Sequence, residues 1–235
     1  MVCDSFKNKV VVVTGAANGI GAAICHRFAR EGARIGLLDM DAKGVQAASD
    51  KLRASGVDAV GIRCDVVDED ECTSALKEII GLYGGIDVLV NNAGITQRSA
   101  FIDTQTSVYR RVMDVNFFGS LHCTKAAMAS LIERKGIIIV IESLAGIAPL
   151  LGRTGYCASK HALHGFFTSL RSELRATGTH IMLVCPGFVE TSLQSRALGG
   201  DGRVTTHPQS MVGKPASVES VAEKIYKGAF QRKQL

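Results

Sequence analysis

The sequence predicts an α/β fold in which a parallel sheet is wound by helices on both faces. Three observations carry this. Short β-branched runs recur along all 235 residues. Each is followed by a segment of helical length, with apolar residues at helical spacing. The first run, KVVVVT at residues 9–14, is apolar without alternation, as a strand buried on both faces must be.

The elements follow in order. After the first strand, residues 19–31 carry Ile20, Ala23, Ile24 and Phe28 at helical spacing. RIGLLD at 34–39 is the second strand, and 41–55 is a polar, Ala-rich helix stopped by Gly56. The third strand is 57–64. The helix at 68–83 opens with acidic residues, which the helix dipole favours there. IDVLVN at 86–91 is strand four and GIIIVIE at 136–142 is strand five, with one long helix over 106–133 between them. A second long helix spans 156–177, HIMLVC at 180–185 is strand six, and 217–230 is the last helix. Strands separated by helix-length crossovers run parallel. No linker, repeat or biased segment interrupts the spacing, so residues 1–235 read as a single domain. Residues 186–215 stand apart, aperiodic and containing Gly199, Gly200 and Gly202. A loop of that length in a compact domain commonly serves function, and it reads as a substrate loop.

Composition excludes several classes. Lys and Arg number 27 against 22 Asp and Glu, a mild excess spread along the chain. A nucleic-acid binder concentrates its charge on one face, so no nucleic-acid partner is expected. The seven cysteines show no C-x-x-C spacing, and Cys25 and Cys185 sit in apolar runs. They read as small buried hydrophobes in a reducing compartment. His161 and His164 lie three apart on one predicted helix without further ligands nearby in sequence, so no metal site is expected. No apolar run approaches the about 20 residues of a membrane span. The N-terminus shows no apolar stretch of signal-peptide length, and the expected location is the cytosol.

Between the first strand and its helix lies Thr14-Gly15-Ala16-Ala17-Asn18-Gly19-Ile20-Gly21. Glycines here permit a tight turn and close approach of a pyrophosphate, and the helix start offers free N–H groups. The second strand ends in Asp39, placed to accept hydrogen bonds from ribose hydroxyls and to repel a 2′-phosphate. No Arg or Lys lies between Gly15 and Gly21 to attract such a phosphate. The cofactor expected is therefore NAD, in preference to NADP. Asp65, with Val66, follows the third strand, where it serves either an adenine edge or a loop cap.

Strand five runs into Ser143, and Tyr156 and Lys160 follow four apart on one helix face. A phenol with pKa about 10 is a poor base at neutral pH. A nearby ammonium and a cationic nicotinamide would favour the phenolate. Tyr156 is then expected to exchange a proton with an alcohol or carbonyl oxygen that Ser143 also holds. Together these motifs resemble the short-chain dehydrogenase/reductase family. The likeness runs from about residue 7 to residue 191 and includes Asn91-Asn92-Ala93-Gly94, Asn116 and Pro186-Gly187 followed by Val189 and Thr191.

The resemblance implies a Rossmann-like fold and roles that spacing does not show. Asn116 would complete an Asn-Ser-Tyr-Lys set, its carbonyl holding a water that links Lys160 to solvent. Lys160 would also bond the nicotinamide ribose. Asn91 to Gly94 would support the sheet and the adenosine side, and Pro186 to Thr191 would contact the nicotinamide carboxamide. Where the family often has Ser, this chain has Glu142. Family members usually continue into a seventh strand, whereas this sequence stops at Leu235, so six strands are expected. A homodimer or homotetramer through residues 106–133 and 156–177 is the expected assembly.

The substrate is expected to be a small apolar alcohol or ketone, such as a steroid or a lipid-like carbonyl compound. The residues after Ser143 are apolar through Leu150 and Leu151, and the long loop adds Phe188, Leu193, Leu198 and Met211. Arg153 borders the mouth of the site. Two other readings compete. A 3-oxoacyl-thioester reductase using NADPH is disfavoured by Asp39, and a non-catalytic NAD(H) sensor is disfavoured by the intact Asn116, Ser143, Tyr156 and Lys160.

Overall fold

The valine run that opens the sequence becomes the centre of the sheet. In this computed structural model, which describes residues 5–208 and 213–235, the strands are β1 (Val10–Thr14), β2 (Arg34–Asp39), β3 (Ala59–Arg63), β4 (Val88–Asn91), β5 (Ile137–Ile141) and β6 (His180–Val184). They form one six-stranded parallel sheet in the order β3-β2-β1-β4-β5-β6.

Alternate residues of β1 feed two cores. Val11 and Val13 pack against α1 (Gly19–Ala29), α2 (Ala42–Ala54) and α7 (Val218–Phe230) through Ile24, Phe28, Val45, Leu52, Ile225 and Ala229. Val10 and Val12 pack against α3 (Glu69–Tyr83), α5 (Gly119–Glu133) and α6 (Thr154–Glu173) through Leu76, Ile79, Leu131 and Phe167. Burying side chains of this size contributes about 1.5–3 kcal/mol each. Local chemistry sets the helix ends. The Asp41 carboxylate accepts from the Gly44 N–H, and the Asp68 carboxylate from the Asp70 and Glu71 N–H groups. At the other end of the sheet the buried Asp87 carboxylate accepts from Lys9 Nζ at 3.1 Å, Arg134 Nη1 at 3.1 Å and the Val10 N–H at 2.9 Å.

Two elements differ from expectation. The helix over 106–133 is broken: α4 (Thr106–Met113) gives way to a π-helical turn at Asp114–Phe118 before α5. That turn carries Asn116, whose side chain bridges to Ile95 and Ser159, and π-helical turns are commonly placed at functional sites. The aperiodic stretch after β6 is pinned at several points. Leu198 bridges to Gln97 and Val204 and packs on Val108 and Val112 of α4, while Val189 bridges to Ala216. Met211 lies outside the described residues. Beside the outer edge of β6, the Gln234 carbonyl accepts the Leu183 N–H at 3.0 Å and the Lys233 carbonyl meets His180 Nε2 at 2.8 Å.

Strand order reverses between β1 and β4, and a crevice opens above their C-terminal ends, as the winding requires. The two loops there are locked together. Thr14 Oγ1 accepts from the Asn92 and Ala93 N–H groups, both at 3.0 Å, and Asn92 Nδ2 donates to the carbonyls of Thr14 and Gly15. Gly15 adopts φ +64°, a left-handed turn that favours glycine. Gly21 packs under it: a Cβ there would lie 2.2 Å from the Gly15 carbonyl and 2.6 Å from Asn92 Nδ2. Gly21→Ala is therefore expected to lower stability by about 1–3 kcal/mol, read by chemical denaturation.

Candidate active site

The crevice holds a cleft of about 580 Å³, within the range of small-molecule sites. At one end stand Gly15, Asn18, Gly19 and Ile20 from the first loop, with Asn92, Ala93 and Gly94 facing them. The Asn18 side chain makes no cap bond to α1, so the first-turn N–H groups of α1 are left for an anion. Asn18 Oδ1 instead accepts from Ser192 Oγ at 3.3 Å, tying the start of α1 to the long loop. Gly21 does not line the cleft. Its contribution is the close packing already described.

Asp39 and Asp65 reach the cleft from the ends of β2 and β3. Each also does local work. The Asp39 carboxylate accepts from the Ala17 and Asp41 N–H groups, both at 3.0 Å, which fixes it at the rim. Asp65 Oδ1 accepts from the Val67 N–H at 3.1 Å, so the loop-cap alternative is realised in the structure while the residue still faces the cleft with Val66. Pro186, Gly187, Val189 and Thr191 also line the cleft, with the Pro186 carbonyl accepting the Leu144 N–H at 3.1 Å and Thr191 standing next to Gly19.

At the other end Ser143, Tyr156 and Lys160 converge. Ser143 caps a short turn by accepting the Ala145 N–H at 3.1 Å, and its hydroxyl favours the Tyr156 anion. Tyr156 is buried, and burial pushes its phenol above the ordinary value of 10; the Ser143 hydroxyl and the nearby Arg153 charge oppose this. From the protein itself, burial is thus the largest influence on this phenol. Lys160 Nζ donates to the Ile141 carbonyl at 2.8 Å and lies 5.7 Å from the centre of the Tyr156 ring. Its own pKa falls to about 8, chiefly through burial, with the Glu142 and Cys185 charges resisting.

Asn116 stands behind the cleft rather than on its wall. Its Nδ2 donates to the Ile95 carbonyl at 3.0 Å and Ser159 Oγ at 2.9 Å, and its Oδ1 accepts the Ile95 N–H at 2.8 Å. Its backbone carbonyl accepts from Ser120 Oγ at 2.8 Å. The side chain is fully engaged in holding α6 against the loop after β4, which makes Asn116 a positioning residue, while its backbone carbonyl keeps a second acceptor site beside the bond from Ser120. Glu142 turns inward: its Oε2 meets His164 Nδ1 at 3.2 Å and Cys185 Sγ at 3.3 Å, and its Oε1 is buried without a partner.

The sequence reading missed one site residue, Gln97, and set Arg153 too far out. The buried Gln97 accepts the Tyr156 N–H at 3.0 Å and donates to the Gly152 carbonyl at 3.2 Å, setting where α6 begins. Arg153 is inside the cleft rather than at its mouth, held by Thr96 and Gln194. Only the polarity of Thr96-Gln97-Arg98 amid apolar neighbours hinted at this.

Comparison with known proteins agrees with this geometry. The family profile described as short chain dehydrogenase matches residues 9–199. Dehydrogenase/reductase SDR family member 7B from Bos taurus is 36% identical over 203 residues, covering 83% of this chain and 62% of that protein. The Mus musculus protein of the same name is 33% identical, covering 97% of this chain and 72% of its own length. Human family member 7 is 35% identical over 82% of this chain and 58% of its own length. The chain thus spans about three fifths to three quarters of these relatives. A short-chain dehydrogenase/reductase from Burkholderia phymatum, solved in complex with NAD, superposes with a TM-score of 0.86 at 23% identity, covering 98% of this chain and 89% of that one. The chain belongs to the short-chain dehydrogenase/reductase family. It is an NAD(P)-dependent oxidoreductase of the class that acts on CH–OH groups.

A buried lysine with a lowered pKa predicts a signature in stability. Between pH about 8 and its ordinary value of 10.5, Lys160 keeps its proton when unfolded and has lost it when folded. The unfolded state then binds more protons, so stability rises with pH in that window. Relative to Lys160→Met, the wild type is expected to gain stability from pH 8 to 10 in denaturant titrations, and a flat difference would contradict the burial of this charge.

Proposed function

We propose that the protein exchanges hydride between NAD(H) and a secondary alcohol or ketone with an apolar body. The observation that carries this reading is the cleft itself, with Ser143, Tyr156 and Lys160 at one end and the Asp39 carboxylate at the other. The residues present fit a dinucleotide. A Cβ at Gly15 would stand 2.9 Å from Ala93 Cα, so only glycine leaves this turn open beside the free N–H groups of α1.

Gly15, Gly19 and the start of α1 would hold the pyrophosphate, Asp39 the adenosine ribose, and Asp65 and Val66 the adenine side. The bound nicotinamide supplies or accepts the hydride. The chain's own residues manage the proton. Tyr156, its proton held by burial, gives that proton to a carbonyl oxygen in reduction; in oxidation it first releases the proton, and the phenolate then takes one from the hydroxyl. Ser143 donates to the same oxygen and fixes its place. Lys160 holds a positive charge beside the ring. The likeness to the NAD-bound Burkholderia phymatum enzyme supports the choice of cofactor.

An apolar substrate body is supported by the rim after Ser143. Leu144 and Ile147 are exposed, and Leu151 is fully so at 103%. A cytosolic setting belongs to the same proposal. So does a homodimer or homotetramer through residues 106–133 and 156–177, supported by the exposed Phe118 of the π-helical turn and Ile132 of α5 and by the half-buried pair of Phe117 on that turn with Phe166 of α6.

Calorimetric titration tests the cofactor reading. NADH is expected to bind at least tenfold more tightly than NADPH, about 1.4 kcal/mol. Asp39→Ser is expected to narrow that ratio by removing the charge that repels a 2′-phosphate. Equal or tighter binding of NADPH by the wild type would contradict Asp39 as the ribose reader.

A further inference from the structure

Two arginines beside the reacting end have no carboxylate against them. Arg153 is only 6% exposed, yet it lines the cleft three residues before Tyr156. Its Nη1 donates to Thr96 Oγ1 at 2.7 Å and its Nη2 to Gln194 Oε1 at 2.8 Å, both neutral acceptors. Arg98 lies behind it. Its Nη2 reaches the Gln194 carbonyl at 3.5 Å, and its Nε and Nη1 are buried without partners. Among the described residues, Arg27, Arg34, Arg53, Arg63, Arg134 and Arg203 have an acidic side chain within 4.0 Å; Arg98 and Arg153 are among the arginines that do not, and what sets them apart is that their guanidinium nitrogens are shut from solvent.

A fixed charge in a dry site costs free energy unless an opposite charge meets it. A tie between Thr96 and Gln194 requires donors but no charge, and an amide would serve. Here two like charges are placed together instead, so each raises the cost of the other. Burial and the neighbouring Arg98 both lower the proton affinity of Arg153. The field of this corner is therefore positive and unshielded, and it faces the end of the cleft where Tyr156 and Ser143 would hold the reacting oxygen. A guanidinium presents a planar fork of N–H donors that matches a carboxylate. Arg111, Arg153 and Arg196 all line the cleft, and Arg153 is the one three residues before Tyr156 and buried at its end.

We propose that the substrate carries a carboxylate and that Arg153 binds it, with Arg98 adding charge from behind. The protein then acts on an oxo acid or hydroxy acid whose apolar body lies along the Leu144 to Leu151 rim. Gln194 orients both guanidinium groups, so the long loop takes part in acid recognition. This inference rests on the oxidoreductase reading above and narrows its substrate class.

Binding to the NADH-saturated wild type tests it, with hexanoate, octanoate and decanoate compared against their primary amides by calorimetry. At least one acid is expected to bind tenfold or more tightly than its amide. The ratio is expected to fall below threefold in Arg153→Gln and to survive in part in Arg153→Lys. Amides that bind as well as the acids would overturn the proposal, as would a preference untouched by Arg153→Gln. If Arg153→Gln does not fold, the wild-type ratio and Arg98→Gln, which should lessen it, decide. Octyl phosphate that outbinds every acid would overturn the carboxylate assignment. A parallel NADH titration separates the two readings: no NADH binding removes the proposed function, while NADH binding without acid preference removes only the carboxylate.

Discussion

The hydrogen bond from the Tyr156 N–H to Gln97 Oε1 fixes where α6 begins, and the chemistry depends on that start. A helix offers its first-turn N–H groups to whatever acceptor lies nearby. Here the acceptor is a fully buried side chain from the loop after β4, which also grips the Gly152 carbonyl before the helix. Arg153 at the helix cap and Ser159 one turn on are held to the same loop region, through Thr96 and through Asn116. With the first turn so constrained, Tyr156 and Lys160 have their place on the inner face of α6 and converge with Ser143.

Burial then gives these groups their character. Tyr156 keeps its proton, Lys160 loses its own more readily, and Arg153 stands uncompensated, all for the same reason: the cleft removes water from around them. The Glu142 carboxylate is close enough to Lys160 to act on its charge, but it bonds to His164 and Cys185. The proton-holding end of the cleft thus has the buried Arg153 on one side and the charge of Glu142 near Lys160 on the other.

Much of this was legible in the sequence where it depended on local rules. The all-apolar β1, the glycine turn, the acid closing β2 and the i, i+4 pairing of Tyr156 with Lys160 each follow from backbone geometry within a few residues. The strands are found close to their expected bounds for that reason. What remained hidden acts over distance: Gln97 meets a partner 59 positions away, and the contact that draws Arg153 inward is with Gln194, 41 positions away. No periodicity encodes such pairs. The π-helical turn escaped for a related reason, since periodicity across 106–133 is nearly that of a continuous helix and the departure is set by Asn116 bonding to Ile95 and Ser159. Asn116 was picked out only by family likeness, and the structure gives it a positioning role. Gly21 was legible as a glycine of the turn, but its use is close packing rather than contact with the cleft.

The account's central claim is that Tyr156 holds the proton exchanged at the reacting oxygen. The direct measurement is single-turnover reduction of a ketone by Tyr156→Phe, with NADH binding measured on the same sample. The predicted result is NADH affinity within threefold of the wild type and a rate lower by about 10²–10⁴. A variant that binds NADH and reduces the ketone at the wild-type rate would contradict the claim.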